Sequence, residues 1–335
     1  MALSRVDNVS LRAMHTVLPA TVVSNTDLPG HTRDELMRIV SSTGIRQRHV
    51  VSEEQTALDL GKVAATKLLQ QASIDIADVG LVIFVTQTPD FPFPGNAVQL
   101  QNALGASKEC VAFDVNLGCS GFVYGLWQAG QLLNTIPQAY ALLLCGDTTS
   151  KQCNIDNPKV NALFGDAVSA VLLKKQDTAP SWFFQLGSDG SGAPYLAQAA
   201  GGQRYPNQAL DLQMDGTQVF AFTLREVPKS IQQCLQHAQL NITDIDSVVM
   251  HQANAMMLKH LADKLNITAE QLVLELSEVG NTSSASIPLA MCSHENENIA
   301  KLEHTVLMSG FGVGWSWASA IIRYNPAIPM DISII

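Results

Sequence analysis

The sequence predicts a layered α/β fold made of two similar halves. Three observations predict it. Strand-sized apolar runs alternate with helical stretches along the whole chain. The order strand, helix, strand, Gly-containing turn with a polar residue, helix, strand, Gly-rich turn, strand occurs twice, as a repeat of elements and not of sequence. And 335 residues, 47% hydrophobic and only 15% charged, suit a large interior shared between two units. The composition turns polar at Lys174-Lys175-Gln176-Asp177, which divides the halves into residues 1–178 and 179–335.

Residues 8–18 read as an opening strand. Residues 20–50 are mixed, with a turn at Pro29-Gly30 and a short helix over 34–40. Thr43-Gly44-Ile45-Arg46-Gln47-Arg48 is a turn entering an arginine-bearing strand. Alanine, leucine and valine gather on one helical face over 57–72. The apolar run 79–86 has the pattern of a strand buried on both faces. It leads into Pro89-Asp90-Phe91-Pro92-Phe93-Pro94-Gly95, too rich in proline for a helix or a central strand. A helix over 96–104 and a strand over 110–115 follow, and after Asn116-Leu117-Gly118 an apolar helix starts at Ser120. Strands over 140–145 and 167–173 flank a loop at 147–163.

In the second half, 182–218 reads as Gly-rich and irregular, 219–238 as helix and 248–251 as a short strand. A helix over 254–265, a strand over 273–276 and a helix from Thr282 come next. Strands over 305–308 and 315–323 close the pattern, and the tail 325–335 either docks on the surface or is loose.

A net charge of −10 without a basic run speaks against nucleic-acid binding. Arg46, Arg48 and His49 form a candidate basic patch for an acidic partner. No apolar run has the length of a membrane span, and the N-terminus lacks the apolar core of a signal peptide. The six cysteines (110, 119, 145, 153, 234 and 292) show no CxxC pairing, so zinc sites and disulfide frameworks are poorly supported. A reduced, cytoplasmic protein without a metal is the simplest reading. Low charge with high apolar content points to a further surface buried in an oligomer.

Three polar residues stand at corresponding turns. Cys119 sits where a strand ends and a buried helix begins. A helix N-terminus favours negative charge, so a thiol there is expected to lose its proton more easily. A buried structural cysteine is the alternative, although Gly118 and Gly121 clear space for an approaching group. His251 lies at the carboxyl end of a strand, where open α/β sheets place their sites, but a satisfied interior histidine fits there too. Asn281 follows Val279-Gly280 as Cys119 follows Leu117-Gly118, and an ordinary turn or cap residue explains it equally well taken alone. Together they supply a nucleophile and the donors that a developing oxyanion needs. The Gly310-Phe311-Gly312-Val313-Gly314 run lacks dinucleotide spacing. It reads either as a strand-joining turn or as a place where backbone N–H approaches a carbonyl on Cys119. Phe164-Gly165-Asp166 reads as structural.

These motifs resemble those of the β-ketoacyl-acyl-carrier-protein synthase III enzymes, over about residues 8–324. The resemblance rests on Thr43-Gly44-Ile45-Arg46, Asp114-Val115-Asn116 through Cys119-Ser120-Gly121-Phe122, Phe164-Gly165-Asp166, His251-Gln252-Ala253-Asn254, Gly280-Asn281-Thr282-Ser283 and Gly312-Val313-Gly314. It implies a thiolase-like fold, with pseudo-two-fold halves in an α/β/α/β/α arrangement, and a homodimer. It implies that Cys119 takes an acyl group from acyl-CoA or an acyl-carrier thioester. His251 and Asn281 then hold a malonyl thioester, borne on an acyl carrier protein, as it loses CO₂. The N–H groups of Cys119 and Val313 are implied as the oxyanion hole. Phe93 is implied to reach the partner's acyl pocket, with Asn254, Phe311 and Gly312 also at the substrate. No cofactor is implied beyond the thioesters. Acyl transfer to an alcohol or amine, without decarboxylation, is the alternative activity.

The resemblance fails at the nucleotide end of the donor. The place of a family Trp holds Leu36 or Arg38, and expected arginines are replaced by Ser42, Pro158 and Met256, with Lys159 and Lys259 nearby. A specialised member, with a donor that is carrier-bound rather than CoA-bound, is the expectation.

Overall fold

The computed structural model describes residues 2–294 and 303–335. The first half runs β1 (Ala2–Val6), β2 (Val9–Leu18), β3 (Thr21–Ser24), α1 (Arg33–Thr43), β4 (Gln47–Val50), α2 (Ala57–Ala72) and β5 (Val79–Val85). It continues through α3 (Asn96–Ala103), β6 (Val111–Val115), α4 (Gly121–Leu133), β7 (Tyr140–Asp147), α5 (Pro158–Asn161) and β8 (Ala167–Lys175). Next come β9 (Trp182–Ser188), β10 (Leu196–Gln198), β11 (Leu212–Met214), α6 (Gly216–Ala238), β12 (Ser247–Met250) and α7 (Ala255–Leu265). The chain closes with α8 (Ser286–Ser293), β13 (His304–Gly312), β14 (Ser316–Tyr324) and β15 (Met330–Ile334).

Local chemistry sets the helix starts. Thr32 and Thr56 accept from the N–H groups of Glu35 and Asp59, and those carboxylates return a bond to the cap backbone. Such a cap contributes about 1 kcal/mol. β5 is buried at every position, so its apolar run needs cover on both faces. That demand builds the layers.

One sheet has the order β15-β2-β8-β7-β5-β6 and the other β1-β9-β14-β13-β12. They share one wiring. In the first, β2–β8 and β8–β7 are antiparallel, and β7–β5 and β5–β6 are parallel. In the second, β9–β14 and β14–β13 are antiparallel and β13–β12 parallel. The counterpart of β6 is a single parallel bridge from Val248 to Leu272. The strand expected over 273–276 is therefore not formed. The Gln252 carboxamide occupies the ladder positions instead, donating to Val273 O (3.3 Å) and accepting from Glu275 N–H (2.9 Å).

α4 packs on β5 and β7 on one side and on β13 and β14 on the other. α8 likewise touches β2, β8 and β12. α2 packs on the outer face of the first sheet, and α6, with α7 beside it, on the second. The result is the α/β/α/β/α order that the resemblance implies.

The chain termini cross over. β1 pairs with β9 in the second sheet, and β15 pairs with β2 in the first. The tail thus docks: Ile335 N–H donates to Leu18 O at 3.0 Å, and Ser333 Oγ meets His15 Nε2 at 2.9 Å. It covers a strand edge that would otherwise stay unpaired. Segment 182–218 is less irregular than expected. Its first residues form β9, held between β1 and β14, with Trp182 and Phe184 fully buried.

Candidate active site

The duplicated wiring brings the ends of β6 and of its one-bridge counterpart to the same level, and Cys119 and Asn281 come with them. Cys119 precedes α4, whose first residue is Gly121. Ser120 fixes that entry through a 2.6 Å bond to Ser316 Oγ. The thiol is only 7% exposed. The expectation of an easily ionised thiol is corrected here. Burial pushes the Cys119 thiol up to about 12, and the Asp147 carboxylate pushes in the same direction, while the Ser283 hydroxyl pulls down. Desolvation outweighs the helix terminus because the sulfur lies in the interior, where charge has no water to stabilise it. Asp147 is itself buried and accepts from Thr86 Oγ1 (3.0 Å), Gln87 N–H (2.6 Å) and Ser284 Oγ (3.1 Å).

His251 follows β12 and is held by its N–H donating to Ser309 O at 2.8 Å. Its Nδ1 meets Ser286 Oγ at 2.7 Å, and its ring stands edge-on to Phe311 at 5.6 Å. Burial pulls the imidazole down to about 3, against a hydrogen bond with the Ser283 backbone that raises it. His251 is therefore neutral at pH 7, with one donor and one acceptor nitrogen.

Asn281 is pinned on both sides. Its N–H donates to Leu163 O (2.8 Å), and its C=O accepts from Gly165 N–H (3.0 Å). The Phe164 motif is thus structural: Arg48 donates to Phe164 O, and Asp166 accepts from Val51 and Ser150 N–H. Asn281 Oδ1 accepts from Ser283 N–H at 2.9 Å, so its NH₂ group is left to donate. Ser283 takes φ +51°, a conformation that non-glycine residues rarely adopt. That turn aims its N–H at Asn281 Oδ1 and brings its hydroxyl beside Gly118, next to Cys119.

Gly312 ends β13 directly against the nucleophile, where an added Cβ would lie 3.2 Å from Cys119 Sγ. Among the described residues, neither the Cys119 N–H nor the Val313 N–H bonds to another residue. Both amides are therefore unspent. The glycine run serves as a strand-joining turn as well, with Ser316 Oγ donating to Val313 O at 2.7 Å.

Other sequence candidates fall elsewhere. Asn254 caps α7, its Oδ1 accepting from Met257 N–H at 2.8 Å. Phe93 is 84% exposed. The basic patch dissolves: Arg48 and His49 are buried, and Arg46 pairs with Glu278. Ser286, Asp147 and Gln87 had no sequence signal, since each is an ordinary polar residue, and Ser283 stood in the Gly280-Asn281-Thr282-Ser283 motif without an assigned role. A cavity of about 820 Å³ lies beside the site, lined in part by Gln87, Asn116, Gln198 and Val313. Among the described residues, no cluster of His, Cys, Asp or Glu is placed to hold a metal, and no helix is long and apolar enough to cross a membrane.

Two sequence profiles match the chain: 3-oxoacyl-(acyl-carrier-protein) synthase III over residues 113–190, and the C-terminal part of the same enzymes over 235–324. A β-ketoacyl-(acyl-carrier-protein) synthase III from Methylococcus capsulatus is 34% identical, over 92% of this chain and 96% of its own length. One from Synechocystis is 35% identical with the same coverage. The crystal structure of a 3-oxoacyl-(acyl-carrier protein) synthase from Burkholderia xenovorans superposes with a TM-score of 0.95 at 32% identity, covering 100% of this chain and 99% of that one. The priming β-ketosynthase of a polyketide pathway superposes at 0.87 with 26% identity, over 96% and 98%.

Proposed function

The chain belongs to the β-ketoacyl-(acyl-carrier-protein) synthase III family, and from that membership we propose how its residues divide the reaction. The protein is an acyltransferase of the kind used in fatty-acid biosynthesis: it condenses an acyl group with a malonyl thioester, releasing CO₂ and a β-ketoacyl thioester. In the proposed division, Cys119 sulfur attacks the donor thioester carbonyl, its proton leaves with the departing thiol, and acyl-Cys119 remains. The amides of Cys119 and Val313 hold the oxyanion. The malonyl thioester then loses CO₂. The enolate oxygen is held by Asn281 NH₂ and His251 Nε2–H, in the tautomer whose Nδ1 accepts from Ser286. The carbanion attacks the acyl carbon, and the Cys119 thiolate leaves and is reprotonated. Phe311 and Gly312 border this space, and Asn254 orients α7 beside it. None of these steps requires a cofactor.

The observation that carries the reading is that Gly312 lies against the Cys119 thiol, Phe311 against the His251 ring, and Ser283 beside Gly118 while its N–H bonds to Asn281 Oδ1. The test is a mixture of acyl donor and malonyl-carrier: CO₂ should appear in step with β-ketoacyl product. Transfer of the acyl group to an alcohol or amine without CO₂ would overturn it.

We propose a homodimer in a reducing cytoplasm. All six cysteines are unpaired. β6 is a sheet edge, and Val111 on it, Val98 on α3 and Phe91 in the adjoining loop are about half exposed, with Phe93 at 84%. A second copy covering this apolar edge would bury more than about 2,000 Å². Light scattering at micromolar concentration should report a dimer. A monomer would remove the basis for placing Phe93 in the partner's pocket.

We also propose that the donor's nucleotide end is little used. Leu36 is buried and has no face for an adenine, Ser42 Oγ is spent on Ile39 O, and Met256 presents no charge. Acyl-carrier or acyl-pantetheine donors should acylate Cys119 nearly as well as acyl-CoA. A hundredfold preference for CoA, equivalent to about 2.7 kcal/mol, would sink this reading.

A further inference from the structure

We infer that Asp147 is a positioning residue for the nucleophile: its buried carboxylate holds the turn around Cys119 and favours the neutral sulfur, so that Cys119 reacts with a bound thioester and only slowly with other electrophiles. The inference rests on the reading of Cys119 as the acylated residue. Asp147 ends β7 and is 1% exposed, yet no step of the reaction uses it. Its carboxylate reaches both halves of the fold. Thr86 Oγ1 (3.0 Å) and Gln87 N–H (2.6 Å) donate to Oδ1 from the end of β5, and Ser284 Oγ (3.1 Å) donates to Oδ2 from the turn before α8. The same residues flank the nucleophile. The Gln87 carboxamide lies against Gly118, and Ser284 Cβ lies 3.6 Å from where a Cβ on Gly121 would stand. Between those glycines, Gly121 N–H donates to Gly118 O at 2.6 Å and closes the turn that carries Cys119. Loosening the carboxylate would loosen both walls of that turn.

All three donors are neutral, and among the described residues no cation bonds to Asp147. A buried carboxylate without a counter-ion acts on whatever charge forms beside it. The other titratable groups leave it unopposed. β7 also brings Cys145, β12 leads to the neutral His251, and β5 brings none. Lys174 on β8 pairs with Tyr140, at the opposite end of β7 from Asp147, and His304 with Tyr324, at the opposite end of β13 from Gly312. Arg48 donates to Asn25 and Phe164 O, and Arg5 on β1 pairs with Asp7. Asp114 on β6 accepts from the first N–H groups of α3, and Tyr124 on α4 donates to Gly187 O. The thiols respond as this arrangement requires: burial first, and then Asp147, raises both Cys119 and Cys145. The charge opposes a thiolate and is indifferent to a neutral sulfur. Attack on a bound thioester forms the Cys119 S–C bond, breaks the donor's C–S bond and sends the Cys119 proton out on the departing thiol, so no net charge remains beside Asp147. An electrophile whose leaving group takes up no proton needs the bare thiolate.

The experiment follows alkylation of Cys119 by iodoacetamide, read by mass at the Cys119 peptide of the full-length protein from pH 6 to pH 10, beside acylation by an acyl-pantetheine. Asp147→Asn keeps the shape and removes the charge. It should alkylate at least about threefold faster at pH 8, with the rate profile displaced to lower pH. A neighbouring charge moves a titration by about one unit or more, giving about tenfold more thiolate, while the more acidic sulfur is about threefold less nucleophilic. Acylation should not rise with alkylation, so the ratio between them falls. A purely structural role would slow both reactions and leave the profile in place. That result, an unchanged profile, or an equal rise in both reactions overturns the inference. Asp147→Ser gives the same readings if the asparagine variant fails to fold. If neither folds, the wild type decides: alkylation still climbing at pH 10 supports the inference, and levelling off by pH 8 overturns it. Wild-type Cys119 that alkylates but takes no acyl group strikes the acylation reading instead, an outcome separate from the pH profile.

Discussion

Cys119→Ala should lose every covalent acyl adduct and at least about a thousandfold in condensation, yet still release CO₂ from a malonyl thioester. Only the sulfur atom forms a bond to the acyl group, so the variant has no acyl-enzyme to make. The decarboxylation donors, in contrast, are held independently of the thiol. Asn281 is fixed by Leu163 and Gly165, and His251 by Ser309 and Ser286. Their geometry survives the loss of one small side chain, so CO₂ release should stay within about tenfold of the wild type. The wild-type labelling rate should climb from pH 7 to pH 10. Burial holds the thiol up at about 12, so the thiolate fraction keeps growing across that range. The neutral His251, held down at about 3, contributes no titration there. Intact-mass labelling with parallel CO₂ detection checks each part. Loss of CO₂ release together with labelling would show that the thiol belongs to both half-reactions.

The layers and the positions of Cys119 and Asn281 were legible because both follow from repeated element order. A buried parallel strand such as β5 announces itself by an unbroken apolar run, and the turns after such strands are where polar residues stand out. In the region 182–218 the many glycines and polar residues mask the short aromatic run of β9. The segment 273–276 has the composition of a strand. Val273 O and Glu275 N–H bond to the Gln252 side chain, which no local pattern reports.

Electrostatics was the least legible part. Position at a helix start suggested a lowered thiol, but the thiol's actual surroundings are set by Asp147 from β7 and by the sheets that bury it. Arg46, Arg48 and His49 looked like one basic patch because they are close in sequence. Strand alternation and the adjoining loops instead bury two of them, and Arg48 serves the Phe164 turn that holds Asn281. Ser286 has no signature at all, and Ser283 shows only as the last residue of the Gly280-Asn281-Thr282-Ser283 motif. Ser283 matters because its turn conformation aims its N–H at Asn281 Oδ1 and its hydroxyl toward Gly118.

Asn281→Ala should keep Cys119 acylation within a few-fold of the wild type but lower decarboxylation and condensation by about 10²- to 10³-fold. The asymmetry follows from what its side chain is free to do. Oδ1 is occupied by Ser283 N–H, so only the NH₂ group faces the reaction as a donor. A donor is needed where the enolate oxygen develops, not where a thioester is attacked by sulfur beside the amides of Cys119 and Val313. The alanine variant has a confounding effect, because it also removes the acceptor for Ser283 N–H and releases a residue at φ +51°. Asn281→Asp separates the two. It keeps the shape and the acceptor for Ser283, but replaces the donor with a carboxylate that repels the developing enolate. If Asn281 acts as a donor, the aspartate variant should decarboxylate no better than alanine while its labelling stays normal. If it only positions Ser283, the aspartate variant should recover most of the activity. A third pattern, in which Asn281→Ala blocks labelling but spares CO₂ release, would falsify the assignment and move Asn281 to the acylation half of the reaction.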